Sequence, residues 1–255
     1  MRKRLFLLSE LVRRDLTARF AGSFGGPLWA IFNPLIFCAI YGFVFGVVLK
    51  QRPPEGFPGG YPEFLLGGLI PWIGFQEAIL RGTTSVTEQA HLVKKLRFPL
   101  ELLIASSMTS ALLLQATAIS LLMIFVGVTG RGTLNLPVLA LAFLFEMLIL
   151  LGPIFALAAL NVFFRDLAQI LSPFLMMAFY LSPILYSESL VPPRFARWMG
   201  LNPLRDMAAL FRSGLFGTVG PPVQGLLLWT VIFSVFALGG ILFFRRCKRS
   251  FSDLL

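Results

Sequence analysis

Charge is scarce in this sequence. Only 13% of its 255 residues are Asp, Glu, Lys or Arg, against roughly 25% in a soluble globular domain. One histidine, His91, excludes any site built from several imidazoles. The two cysteines, Cys38 and Cys247, suggest neither a disulfide framework nor a metal site. The chain holds no Gly-x-x-x-x-Gly-Lys-Ser/Thr loop and no Gly-x-Ser-x-Gly elbow, so it lacks the common cradle for ATP phosphates and the hydrolase nucleophile turn. Its carboxylates are scattered, with no close pair on one apolar segment. An enzyme site has little to be built from, and any energised work draws on another chain. No internal repeat or low-complexity segment divides the sequence, which reads as one domain over residues 1–255.

Apolar residues are what the chain has in excess. They make up 57% of it, with 27 Phe, and the mean hydropathy is +0.82. A soluble fold of this size cannot hide so much apolar surface, so lipid is the expected solvent for much of it. Six apolar segments stand out: 28–49, 64–80, 102–128, 136–164, 167–186 and 223–244. Each is near or above the roughly 20 residues that cross a hydrocarbon core. The second is the shortest and is interrupted at Pro71. The sequence therefore predicts an all-α membrane protein with six transmembrane helices, a segment 1–27 ahead of them and a basic tail from 245.

The formal net charge of +10 is better explained by membrane topology than by nucleic acid, because the cations lie between apolar blocks. Fifteen of the 22 Lys and Arg fall on the side that carries both termini, which predicts N-in and C-in. The start resembles a signal peptide only as far as Leu8; Glu10, Arg13, Arg14 and Asp15 follow, and no cleavage pattern appears. Leu5, Leu8, Val12, Leu16 and Phe20 recur at helical spacing, which predicts an amphipathic helix on the inner membrane surface. The last outer loop, 187–222, is too apolar to be solvated and is broken by Pro192, Pro193, Gly200 and Pro203. It predicts two short helices, about 193–199 and 204–215, at or dipping into the outer interface.

Among the remaining polar residues, Glu146 sits midway through the fourth span, where it either lines a pathway or bonds to a neighbouring helix. Gln76, Glu77, Gln115, Asn161 and Gln169 are candidates for interhelical hydrogen bonds. Arg165 suits the end of the fourth helix, and Asp166 the N-cap of the fifth. The inner loop Glu88-Gln-Ala-His-Leu-Val-Lys-Lys-Leu-Arg-Phe-Pro99 carries an apolar ridge of Leu92, Leu96 and Phe98 beside Lys94, Lys95 and Arg97. It is either a docking helix for a cytosolic partner or a topogenic basic loop. Phe37, Tyr41 and Phe45 share one helix face, as sugar-stacking rings or as lipid-facing surface.

Several stretches together resemble the permeases of type 2 ABC exporters, most closely the branch that exports O-antigen, capsule and teichoic acid. They are Asn161-Val-Phe-Phe-Arg-Asp-Leu-Ala-Gln-Ile-Leu, Phe179-Tyr-Leu-Ser-Pro-Ile-Leu-Tyr186, Val191-Pro and Asn202-Pro-Leu, with Gly26-Pro-Leu-Trp29, Asn33-Pro34 and Lys94-Lys-Leu-Arg-Phe-Pro99 earlier in the chain. The resemblance covers nearly the whole chain in consistent order. It implies a homodimeric permease bound to two copies of a separate ATPase, which would carry the ATP and Mg. No cofactor is implied in this chain, and no nucleic acid.

The resemblance also implies roles for residues. Glu88, His91, Leu92, Lys94, Lys95, Leu96, Arg97 and Phe98 match a coupling helix that sits on the ATPase. The helix over 5–20 matches an interface helix. Pro192, Pro193, Asn202, Pro203 and Arg205 match the short helices that close the exit. Trp29, Phe37, Tyr41, Phe45, Phe179, Tyr180 and Tyr186 match the lining of a channel between protomers; Arg165 and Asp166, by their own capping pattern, predict a helical hairpin at the inner face. The implied cargo is a glycan on an undecaprenyl-type lipid, in the inner (plasma) membrane of a bacterium. Arg13, Arg14 and Arg19, with Lys94, Lys95 and Arg97, are placed to meet its pyrophosphate. A drug or lipid permease of the same architecture is the rival expectation.

Overall fold

The computed structural model describes residues 2–22, 24–90 and 99–251. Among these residues the chain is all helical, with no strand. The helices are α1 (Arg2–Phe20), α2 (Trp29–Tyr41, passing into a π-helical turn Gly42–Val48), α3 (Tyr61–Glu88), α4 (Glu101–Thr129), α5 (Leu136–Phe163), α6 (Leu167–Leu181), α7 (Pro193–Met199), α8 (Pro203–Phe216) and α9 (Val223–Cys247). Four of these, α3, α4, α5 and α9, are long and apolar enough to cross a membrane. The stretch Leu35–Val48 and helix α6 are apolar but shorter.

Helix α3 forms the centre, packed on α4, α5 and α8, while α9 packs along α5 and α1 along α4. One end of the bundle gathers the end of α3, the start of α4 and the ends of α5 and α9; contacts from Asn161 to Thr87 and from Lys248 to Glu101 join them. The opposite end gathers the start of α3, the α4–α5 connection and α8, where Asn135 N donates to Gly214 O at 2.7 Å. Two left-handed glycines make the sharp exits there. Gly130 ends α4 at φ 64° and Gly217 ends α8 at φ 68°, a region open to residues without a Cβ.

Three boundaries differ from the sequence reading. The segment expected over 64–80 is a helix of 28 residues, Tyr61–Glu88, that runs through Pro71. Pro71 forfeits one backbone hydrogen bond, and close packing on both faces keeps the helix continuous. The segment expected over 167–186 is helical only to Leu181, because Pro183 disfavours a helical residue before it. The basic tail from Arg245 is not free: α9 continues to Cys247, a 3-10 turn follows at Lys248–Ser250, and Phe251 is fully buried. The two short helices of the last loop are found at Pro193–Met199 and Pro203–Phe216, each with proline at its first position. Asp166 occupies the N-cap of α6, but its backbone is helical (φ −76°, ψ −7°) and its side chain makes no capping bond. The carbonyl of Asp166 accepts from Gln169 and Ile170 instead.

Helices α5 and α9 meet glycine to glycine. A Cβ on Gly152 would lie 2.6 Å from the Phe236 carbonyl, and one on Gly240 would overlap the carbonyl of Gly152. Such contacts let backbones approach closely where burial of apolar surface gives no drive in lipid. Gly240→Ala is expected to cost about 2 kcal/mol and to lower the thermal midpoint of the detergent-solubilised protein. The same change at Gly239, where a Cβ meets nothing, should leave it unchanged.

Candidate functional site

Three helices wall a cavity of about 550 Å³. Helix α2 supplies Phe37 and Tyr41, four residues apart and therefore on one face. Helix α3 supplies Leu69, Trp72, Ile73, Gln76 and Leu80, and α6 supplies Ser172, Met176, Phe179 and Tyr180. The rings form a continuous surface. Phe37 and Tyr41 stack at 6.3 Å and 19°, Tyr41 lies 5.9 Å from Phe179, and Phe179 lies 5.4 Å from Trp72 and 5.3 Å from Tyr180. Phe179 is buried and holds the others in place, whereas Tyr180 remains 48% exposed.

The floor of this cavity is charged, carrying Arg19, Glu77 and Arg81. Arg19 grips Glu77 with both terminal nitrogens, Nη2 to Oε2 at 2.8 Å. Arg81 donates to Asp15 and lies 4.0 Å from Glu77. Helix α1 is thus tied to α3 by two crossed pairs of opposite sign. The groups are partly exposed, so each pair is worth about 1 kcal/mol or less. Their arrangement matters more: Arg19 is matched by a carboxylate, while Arg13 and Arg14 are exposed on α1.

The other expected lining residues take different places. Trp29 borders a smaller cavity of about 130 Å³, shared with Arg19, Asn33, Glu77 and Gln115. Phe45 packs 6.3 Å from Tyr41 but does not border the large cavity. The Tyr186 hydroxyl donates to the Tyr180 carbonyl at 3.2 Å. The fully buried Glu146 accepts from Gln115 Nε2 at 2.6 Å, joining α5 to α4. Gly74 makes room for that amide, since a Cβ there would overlap it. Asn161 donates to Thr87 Oγ1 at 3.1 Å, an interhelical bond among the candidates beside those of Glu77 and Gln115.

Beyond the ring surface, helix α6 ends at Leu181, and the carbonyls of residues 181–185 lie outside its regular bonding. Unpaired carbonyls are costly away from water, and each of these five has a donor. Asn202 Nδ2 reaches Leu181 O at 3.4 Å, and Ile184 N bonds Ser182 O at 2.7 Å. Arg212 donates to Pro183 O and Ile184 O, both at 2.9 Å, and through Nε to Phe64 O at 3.1 Å. Tyr61 OH bonds Leu185 O at 2.7 Å. Asn202 also caps α8, its Oδ1 accepting from Leu204 N at 3.0 Å, and bonds Ser182 Oγ at 2.9 Å. Burial pulls the Arg212 guanidinium down to about 9, so it remains a cation at neutral pH. Its charge rests 3.7 Å over the Phe64 ring. Gly68 leaves space for it, as a Cβ there would lie 2.6 Å from Nη2.

Pro192 is the N-cap and Pro193 the first residue of α7, and Pro203 opens α8. Arg205 Nε bonds Glu188 at 2.7 Å, a contact that holds the guanidinium above its ordinary range. Glu88 is the last residue of α3. His91, Leu92, Lys94, Lys95, Leu96, Arg97 and Phe98 lie outside the described residues. Sequence reasoning passed over Trp72, Tyr61 and Arg212. The available signal for Arg212 was an arginine between Phe211 and Phe216 in an amphipathic run.

Comparison with known proteins is consistent along the chain. Residues 7–216 match the family described as ABC-2 type transporter. An O-antigen export system permease protein RfbA of Klebsiella pneumoniae is 30% identical over 98% of this chain and 95% of its own. Its namesake from Myxococcus xanthus is 28% identical over 97% and 94%. The polysialic acid transport protein KpsM of Escherichia coli is 27% identical over 82% and 80%.

Proposed function

Because the chain belongs to the ABC-2 type transporter family, we propose that it is the membrane permease of a polysaccharide exporter, driven by ATP hydrolysis in a partner subunit. Its relatives are named as export or transport proteins for O-antigen and polysialic acid. In this reading the chain is a transport subunit and not an enzyme. It sits in the bacterial inner membrane with both termini inside. The stretch Leu35–Val48 and α6, with the backbone that follows each, complete six passes beside the four long helices.

The observation that carries the reading is the aromatic wall of Phe37, Tyr41, Trp72, Phe179 and Tyr180 above a charged floor. Ring faces stack on the apolar C–H faces of sugars without demanding one register, which suits a polymer that slides. A drug or lipid would be served by aliphatic walls. The exposed apolar faces of α2 and α6, including Ile36, Ile40, Phe174 and Met177, extend this wall toward a second copy, and two protomers enclose the path. The segment 88–98 meets the ATPase. The cargo is a lipid-linked glycan whose phosphate approaches near α1.

Co-purification from the native host in mild detergent tests the proposal. A stoichiometric nucleotide-binding subunit should be recovered, and replacing Leu92, Lys95 and Leu96 should remove it. A permease that carries no ATPase even after crosslinking would overturn the mechanism.

A further inference from the structure

The segment 91–98 has two roots, the end of α3 and the start of α4, and both are fastened to other helices. At the first, Thr87 on the last turn of α3 accepts from Asn161 of α5 at 3.1 Å. At the second, Glu101 opens α4 and takes Lys248 Nζ at 2.8 Å, with Arg245 Nε at 4.0 Å. Lys248 lies beyond the end of α9, in a turn that has little reason to be ordered on its own. It is ordered because Phe251 is fully buried, 5.5 Å from Phe244 and 6.1 Å from Phe163; Phe244 in turn meets Phe155 at 5.6 Å. Two residues of α5, one of α9 and one of the terminal turn thus form an aromatic plug that presents Lys248 to Glu101.

We propose that the C-terminal turn is a positioning device for energy coupling: the Phe251 plug holds Lys248 on Glu101, so that displacement of the segment 91–98 moves α4 and α9 together. The inference rests on the reading of 88–98 as the ATPase contact. Helices α4 and α5 touch little directly, whereas α9 packs along the length of α5. Without the Lys248–Glu101 bond, a push on the root of α4 reaches the α5–α9 pair at this end only indirectly, through α3 and its Thr87–Asn161 bond. The bond is partly exposed and contributes little to stability; its value lies in where it transmits a force. Lys248 and Phe251 are positioning residues and touch neither nucleotide nor cargo.

The test uses the full-length permease with its ATPase in nanodiscs and measures the kcat and KM of ATP hydrolysis. Lys248→Glu should lower kcat about fivefold, with the KM for ATP unchanged because nucleotide binds elsewhere. Lys248→Arg should retain kcat, and combining Lys248→Glu with Glu101→Lys should restore it to within about twofold, as a coupled pair requires. A Lys248→Glu complex as fast as wild type overturns the inference. So does a double variant as slow as the single one, or a Lys248→Glu protein whose failure to assemble the reciprocal change does not repair. A wild-type permease that binds no ATPase would overturn the proposed function itself, and the inference with it.

Discussion

Arg212→Ala is expected to destabilise the folded protein severely. The side chain feeds three carbonyls, at Phe64, Pro183 and Ile184, and it is 8% exposed. Removing it strands the carbonyls of Pro183 and Ile184 on a segment with no helical partners. Each buried acceptor left without a donor typically costs about 1–3 kcal/mol, against a total stability of roughly 5–15 kcal/mol. Lysine should not rescue, because one ammonium cannot span three acceptors that the planar guanidinium reaches with separate nitrogens. The measurement is the monodisperse yield and thermal midpoint of the purified permease. A midpoint for Arg212→Ala within a degree or two of wild type would show that water or a neighbouring group satisfies these carbonyls, and the account of the end of α6 would fall. Gly68→Leu offers an independent check, since its side chain would occupy the space of Nη2 and should produce the same defect from the opposite wall.

How legible this was in the sequence depends on whether a feature is local. The long helices announced themselves by apolar length, and α7 and α8 by a proline at the first helical position with glycine after the last. Helix α3 was underestimated because Pro71 reads as a breaker, and the packing of Leu69, Ile70 and Trp72 that overrides it comes from distant helices. The end of α6 was overestimated because hydropathy continues through Ile184 and Leu185 while Pro183 has already stopped the helix. In the site, Phe37 and Tyr41 were found by their four-residue spacing, and Phe179 and Tyr180 by resemblance. Trp72 was missed, since nothing in its own segment says which of its neighbours it faces. Arg19 was read as a cation awaiting a phosphate, and its partner Glu77 lies 58 residues away. The pairing of opposite charges across such a distance is a tertiary fact, invisible to charge counting.

The second large effect is expected on transport with little effect on the fold. Tyr41 and Tyr180 present rings to the cavity, and Tyr180 is 48% exposed, so truncating it opens no buried void. If each ring covers roughly 50 Å² of a sugar face, burial at about 25 cal/mol per Å² is worth on the order of 1 kcal/mol per ring. Losing both at once then amounts to about 2 kcal/mol, or roughly thirtyfold, provided the polymer must occupy this surface to pass. The double substitution Tyr41→Ala with Tyr180→Ala should therefore cut surface display of the glycan by at least about tenfold, while ATPase association and the thermal midpoint stay near wild type. Replacing the same two residues by Phe should preserve export, because a ring face and not a hydroxyl is what the sugar needs. Replacing them by Leu should not, although leucine keeps much of the apolar volume. Export that survives leucine but fails with smaller residues would mean that the wall only fills space, and would move the cargo from a sugar polymer toward the drug or lipid expectation. Export lost with Phe would point instead to the hydroxyls, and to a cargo held by hydrogen bonds at one register, which a sliding polymer does not require.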